Sequence, residues 1–195
     1  MVDDLERAYR ERIPALEEMK TSLEAGLVEA LDGVAHVDRA SFRVKTQESF
    51  ASKARRYQHP LTDIEDQVAG RVLVFFHSDI ASVSQIVCSR WNVVEAVHKA
   101  PEKDAEFGYE SRHHVFVIPE HLKSGIWNAS DEMPTTFEVQ IRTLFMHAWA
   151  EPQHDLGYKS SSDLSHDVRR QLAWIAASAW GADRAFEEVR RGLRT

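Results

Sequence analysis

The stretch TDIEDQVAGRVLVFF, residues 62 to 76, sets the acidic side chains Asp63, Glu65 and Asp66 just before RVLVFF (71 to 76), a run that is nearly all apolar. A short apolar run of this kind reads as a central β-strand covered on both faces. Further β-like runs lie to either side of it: SFRVK (41 to 45), WNVVEAV (91 to 97), HHVFVI (113 to 118) and TTFEVQIR (135 to 142). The last alternates Phe137, Val139 and Ile141 with Glu138, Gln140 and Arg142, the pattern of a strand with one face in the core and one wet face. Gln47 to Arg56 and Ile80 to Arg90 read as helices between strands, so five strands with intervening helices place the chain in the α/β class.

Outside this core the spacing is helical. Leu5, Tyr9, Ile13, Leu16, Met19, Leu23, Leu27 and Leu31 recur at steps of three or four, with Pro14 able to start a second helical segment. Leu164, Val168, Leu172, Ile175, Ala179, Phe186, Val189 and Leu193 repeat the pattern after the serines and aspartates of SSSDLSHD, which supply N-cap candidates. Both stripes are expected to pack on the central domain, with an oligomer contact as the alternative. No repeat, low-complexity tract or dividing linker interrupts the chain. The expectation is one domain over residues 1–195: a helical arm (1–38), a core (40–160) and a C-terminal helix (163–195).

The 195 residues carry 24 Lys and Arg against 31 Asp and Glu, a formal net charge of −7. That balance disfavours nucleic acid and anionic membranes unless basic residues concentrate locally, and favours a small-molecule partner. The single cysteine, Cys88, cannot form an internal disulfide, and MVDDLERAYRERIP is too charged for a signal peptide. No apolar stretch approaches the ~20 residues needed to span a bilayer. A cytoplasmic protein is expected.

Basic residues do concentrate between positions 43 and 56, where Arg43, Lys45, Lys53, Arg55 and Arg56 meet one acid, Glu48. Arg43 and Lys45 share a strand face, and Lys53 and Arg56, three apart, share a side of a continuing helix. The cluster suits a polyphosphate; a solvated basic face accounts for it equally well. Asp66 at the mouth of the apolar strand suits Mg²⁺, which binds through one or two carboxylates plus substrate phosphates, although a turn acid alone would look the same. Glu138, Gln140 and Arg142 project from one strand face, so Asp66 and Glu138 together would form a paired-carboxylate site. Tyr109 in FGYESRHH (107 to 114) could stack on a nucleobase or simply pack, and His113 and His114 must face opposite ways. His147 and His154 lack zinc-site spacing, Cys88 reads as packing, and no Walker loop or Rossmann glycine fingerprint is present.

Taken in order, RVKTQESFASK, DQVAGRV, GYESRH, EVQIRT and HAWAEPQHDLGYK resemble the synthetase domain of the RelA/SpoT homologue family, in its small alarmone synthetase form, over about residues 40–160. The resemblance implies a mixed five-stranded sheet of nucleotidyltransferase type flanked by helices. It also implies a reaction, transfer of the β,γ-pyrophosphate of ATP to the 3′-hydroxyl of GTP or GDP with release of AMP. By motif, Arg43, Lys45, Lys53, Arg56 and Arg71 would bind ATP, and Asp66 and Glu138 would hold Mg²⁺, Glu138 also activating the hydroxyl. Tyr109, His113, Gln140 and Arg142 would bind the acceptor nucleotide.

The family's hydrolase metal motif and ribosome-sensing region are not expected here, so the chain should synthesise rather than degrade. Homo-oligomers, dimer or tetramer, through the terminal helices are implied by the same resemblance. Asp104, Glu106 and Glu110 around Tyr109 replace the basic residues common in the family. They keep a toxin-like pyrophosphotransferase acting on the tRNA 3′ end or on adenine nucleotides as an alternative, with a nucleotide sensor without turnover as another.

Overall fold

The computed structural model describes residues 2–101, 107, 108, 110–128, 130, 132–157 and 164–193. In chain order the elements are α1 (Val2–Ala30), β1 (Val37–Val44), α2 (Gln47–Ala54), α3 (Pro60–Asp63), β2 (Val68–Val74), α4 (Asp79–Arg90), β3 (Val93–Lys99), β4 (Ser111–Val117), α5 (Gly125–Asn128), β5 (Thr136–Thr143), α6 (Leu144–Gly157) and α7 (His166–Gly192).

The strands form one mixed sheet in the order β1-β2-β5-β4-β3. β2 and β5 run parallel and the remaining neighbours antiparallel. Register sorts the side chains, because directly paired residues share a face. Ser41, Arg71, Gln140 and His113 are successive partners across four strands, as are Phe42, Gly70, Val139 and His114. One face is therefore rich in polar groups and the other apolar.

The apolar face is the core. Tyr9, Leu16, Met19, Leu23 and Leu27 of α1 and Val83 and Val87 of α4 pack on Phe42, Val72, Phe116, Phe137, Val139 and Ile141, all buried. Each large apolar side chain contributes roughly 1.5–3 kcal/mol through removal from water. Phe42, Trp91, Phe116 and Phe137 form an aromatic cluster with centroids 5.2–6.5 Å apart. Gly70 admits it: a Cβ there would stand 2.7 Å from the Phe42 ring.

Three sequence expectations are corrected. Pro14 starts no second helix; α1 runs unbroken through it. The proline costs the Arg10 carbonyl its helical partner, but Tyr9, Leu16 and Met19 on both sides of it are buried in one core, which holds the two halves in line. FEVQIR alternates as read through Ile141, with Phe137, Val139 and Ile141 buried and Glu138 and Gln140 half-buried on the other face, but that polar face is dry at Arg142, 2% exposed on this middle strand because site residues cover it. RVLVFF is shifted: β2 ends at Val74, Phe75 is exposed, and the second face of this interior strand carries Arg71 into the polar site. Among the described residues, no helix is long and apolar enough to cross a membrane.

Candidate active site

The site grows from the point where β1 ends and β2 begins. Lys45 N–H donates to the Gln67 carbonyl at 2.9 Å, carrying the β1–β2 ladder one step past the strand and bringing Lys45 beside Asp66. Gln67 is fully buried, and its side-chain amide donates to the Leu61 and Ile64 carbonyls at 2.9 and 3.0 Å. Those bonds fix the turn that presents Asp66. From α1, the Tyr9 hydroxyl donates to the Lys45 carbonyl at 2.7 Å while its ring stacks on Phe50 of α2. Helix α2, capped by Thr46 accepting from Ser49 N–H, delivers Lys53.

Asp66 thereby receives two ammoniums, Lys45 Nζ at 2.7 Å on one oxygen and Lys53 Nζ at 2.9 Å on the other. Burial alone would push its carboxyl up, but the two lysines outweigh burial and hold it below the usual carboxylate range.

Glu138 stands on the same face of β5, paired in register with Ala69. One of its oxygens is hydrogen-bonded to His113 Nδ1, and the other accepts from the Gln140 amide at 2.9 Å. Burial raises the Glu138 carboxyl, the nearby Asp66 raises it further, and the His113 and Gln140 contacts reverse both, leaving it lowered. Two ionised carboxylates therefore sense each other across this face.

Farther along the face lie two guanidiniums. Arg71 and Arg142 both donate to Glu151 Oε1, at 2.9 and 2.6 Å, and Arg142 also reaches His147 Nδ1 at 2.8 Å. Helix α6 turns back over the sheet to place His147 and Glu151 there, four residues apart. A small hollow of about 40 Å³ between β1 and β2 is lined by Ser41, Arg43, Arg71 and Gln140, so Arg43 borders the same cationic strip.

Of the residues singled out from the sequence, Lys45, Lys53, Asp66, Arg71, His113, Glu138, Gln140 and Arg142 share contacts on one face, with Arg43 at its border. Arg56 is not brought to them: α2 ends at Ala54, and Arg56 lies exposed beyond it. Tyr109 lies outside the described residues. His113 and His114 do face opposite ways, His114 meeting Cys88 Sγ at 3.5 Å on the core side. Glu151, Gln67 and Tyr9 were missed by sequence reasoning. The alternation that revealed β5 gave no signal for them.

Residues 42–163 match the family described as the region found in RelA/SpoT proteins. The chain belongs to the RelA/SpoT family. Among this family's proteins, the GTP pyrophosphokinase YjbM of Bacillus subtilis (strain 168) is 33% identical over 183 residues, covering 90% of this chain and 83% of its own. The crystal structure of small alarmone synthetase 1 from Bacillus subtilis superposes with a TM-score of 0.76 at 28% identity, covering 98% of each chain. The same synthetase bound to its product pppGpp gives 0.72 at 29% identity, covering 96% of this chain and 95% of that one. The mixed sheet flanked by helices is thus the fold of small alarmone synthetases.

In this RelA/SpoT chain a further polar cluster sits where the sheet meets α7. Glu110 Oε1 lies 3.0 Å from His77 Nε2 and 3.4 Å from His98 Nε2. The Glu110 contact raises His77, and His77 in turn lowers Glu110. Nearby, the Thr143 hydroxyl donates to Asp183 Oδ2 at 2.7 Å, while Asp183 Oδ1 is buried with no hydrogen-bond partner among the described residues. Burial pushes the Asp183 carboxyl up to about 6. A carboxyl raised on folding weakens the fold as pH climbs from its ordinary value toward and past 6, since the folded state holds the proton more tightly. Asp183→Asn keeps an acceptor for Thr143 and removes the charge. Its melting temperature should exceed that of the parent protein at pH 8 and converge with it near pH 4, as read by thermal melts. A gain equal at both pH values would contradict the buried-charge account.

Proposed function

We propose that this protein is a GTP/GDP pyrophosphokinase, moving the β,γ-pyrophosphate of ATP to the 3′-hydroxyl of a guanine nucleotide. The observation that carries the reading is the pair of ionised carboxylates, Asp66 and Glu138, set on one sheet face among Lys45, Lys53, Arg71 and Arg142. The name of the relative YjbM and the pppGpp-bound synthetase structure support the same reading.

Two polyanions must be brought together, so most of the acceleration comes from positioning and charge neutralisation. Lys45, Lys53, Arg43 and Arg71 neutralise the ATP phosphates. Tyr109 stacks on the acceptor base, while His113, Gln140 and Arg142 line the acceptor side. The acceptor 3′-oxygen attacks the β-phosphorus, the O3′–Pβ bond forms as the bond from Pβ to the α-phosphate oxygen breaks, and AMP leaves with that oxygen. Glu138, ionised at neutral pH, takes the 3′-proton.

The donor set fits a hard cation. Among the described residues no group of three or more His, Cys, Asp and Glu is arranged to hold a metal. Two carboxylates do share the site, which suits Mg²⁺, an ion that completes its shell with substrate phosphates and water. Asp66 and Glu138 would hold it, and when bound it supplies charge neutralisation at the transferring phosphates. The residues that α7 leaves exposed, among them Trp174, Ile175 and Val189, support assembly into a homo-oligomer through the terminal helices.

The test is purified protein with Mg²⁺ and γ-labelled ATP, offered GTP, GDP, ATP alone or deacylated tRNA in parallel. Label should move to GTP or GDP with one AMP released per transfer. Label on tRNA, or on none of these acceptors, would overturn the assignment.

A further inference from the structure

The geometry points to Trp180 of α7 as a positioning residue for the acceptor nucleotide, acting through Phe107 on the chain that carries Tyr109. The inference rests on the proposed acceptor role of Tyr109 and assigns a task to a helix outside the catalytic face.

The residues on either side of Gly108 and Tyr109 are both gripped from outside the loop. Phe107 leans on the Trp180 ring, centroids 5.7 Å apart at 65°, and the Arg184 guanidinium covers Trp180 at 5.0 Å. On the other side, Glu110 is held by His77, which follows β2, and by His98 of β3. Gly108 itself supplies no side chain to pack, so these flanking contacts govern where the segment can go.

Trp180 can serve as a fixed point because α7 is anchored around it. Asp183 binds Thr143 at the end of β5, Glu187 accepts from Ser78 N–H at 2.7 Å, and Arg190 pairs with Asp79 at 2.9 Å. Phe186 meets Phe145 of α6 with centroids 5.5 Å apart. The Trp180 and Phe107 side chains are themselves 40% and 44% exposed. An aromatic contact so open contributes little to the core, and its placement beside Gly108 is what gives it a use.

Trp180→Ala and Phe107→Ala should each raise KM for GDP by about three- to tenfold, the range an edge-to-face aromatic pair is worth, with KM for ATP unchanged. Amide exchange over residues 107–111 should quicken in both. The double variant should be no worse than either single one, since all remove the same contact, and Trp180→Phe should recover most of the parent KM. Equal rises in both KM values, or unchanged exchange at 107–111, would overturn the inference. If the parent protein transfers to neither GTP nor GDP, the pyrophosphokinase reading falls, and the exchange comparison alone decides whether Trp180 holds this segment; if it uses GTP alone, KM for GTP takes the place of KM for GDP. Because Phe107 is exposed and remote from the core, Phe107→Ala supplies the test even if Trp180→Ala fails to fold.

Discussion

Glu138→Gln should lower pyrophosphate transfer by at least about 10²–10³-fold, the scale of a lost general base, while ATP binding changes by no more than a few-fold. Glu138 presents two acceptor oxygens, one to His113 Nδ1 and one to the Gln140 amide. A glutamine presents one acceptor and one donor: with the acceptor toward His113 Nδ1–H its N–H faces the Gln140 amide, also a donor, and with the acceptor toward Gln140 its N–H requires the His113 tautomer whose Nδ1 is unprotonated. The conflict costs about 1 kcal/mol, the worth of one hydrogen bond, too little to unfold the protein. What the substitution does remove is a carboxylate held ionised on a strand whose backbone is fixed on both sides by β2 and β4. Lys45, Lys53 and Arg71 are untouched, so ATP should still bind. Single-turnover transfer of γ-labelled ATP to GDP, with ATP binding followed by calorimetry, separates the two. Transfer within tenfold of the parent rate would remove Glu138 from the proton-transfer role.

The contrast between Glu138 and Glu151 shows what the sequence could and could not convey. Glu138, Gln140 and Arg142 were visible as a functional row because strand alternation sorts side chains locally, and Asp66 because it directly precedes an apolar strand. Lys45 and Lys53 followed from a strand face and the helix after it. Glu151 stands nine residues beyond Arg142, across the turn from β5 into α6, and only the return of that helix over the sheet makes it the shared acceptor of Arg71 and Arg142. With His147 it has the spacing of an ordinary pair four apart on a helix. Such proximity is tertiary and has no periodic signature. Arg56 failed for the opposite reason. Its spacing from Lys53 assumed a continuing helix, whereas Arg55 N–H bonds back to the Lys53 carbonyl and closes α2 at Ala54. For β1, the polar start VDRA hid strand residues that the periodicity of SFRVK could not extend to.

Asp66→Ala should abolish transfer and also destabilise the protein, and the second effect identifies what Asp66 does before any nucleotide arrives. Lys45 and Lys53 converge on its two oxygens, and the Lys45 side chain is only 10% exposed. Removing one partner from a buried ion pair costs about 3–5 kcal/mol because an uncompensated charge stays behind. Lys53, a third exposed, recovers water more easily, so about 2–4 kcal/mol is expected. For a chain of this size that is roughly 4–16 °C in Tm. Polyphosphate should return part of the loss, since a ligand that binds only the folded state stabilises it by RT ln(1 + L/Kd), where L is the free ligand concentration. ATP without acceptor should therefore raise the Tm of Asp66→Ala provided the two lysines are the phosphate ligands. The pH dependence has a definite sign. Asp66 is lowered in the folded protein, so its contribution is complete above the ordinary carboxylate range near 4 and disappears as pH falls through the lower folded value. The stability gap between the parent protein and Asp66→Ala should be widest at neutral pH and narrow in acid. A gap that stays constant with pH would mean that the carboxylate's charge is not what holds Lys45 and Lys53 in place.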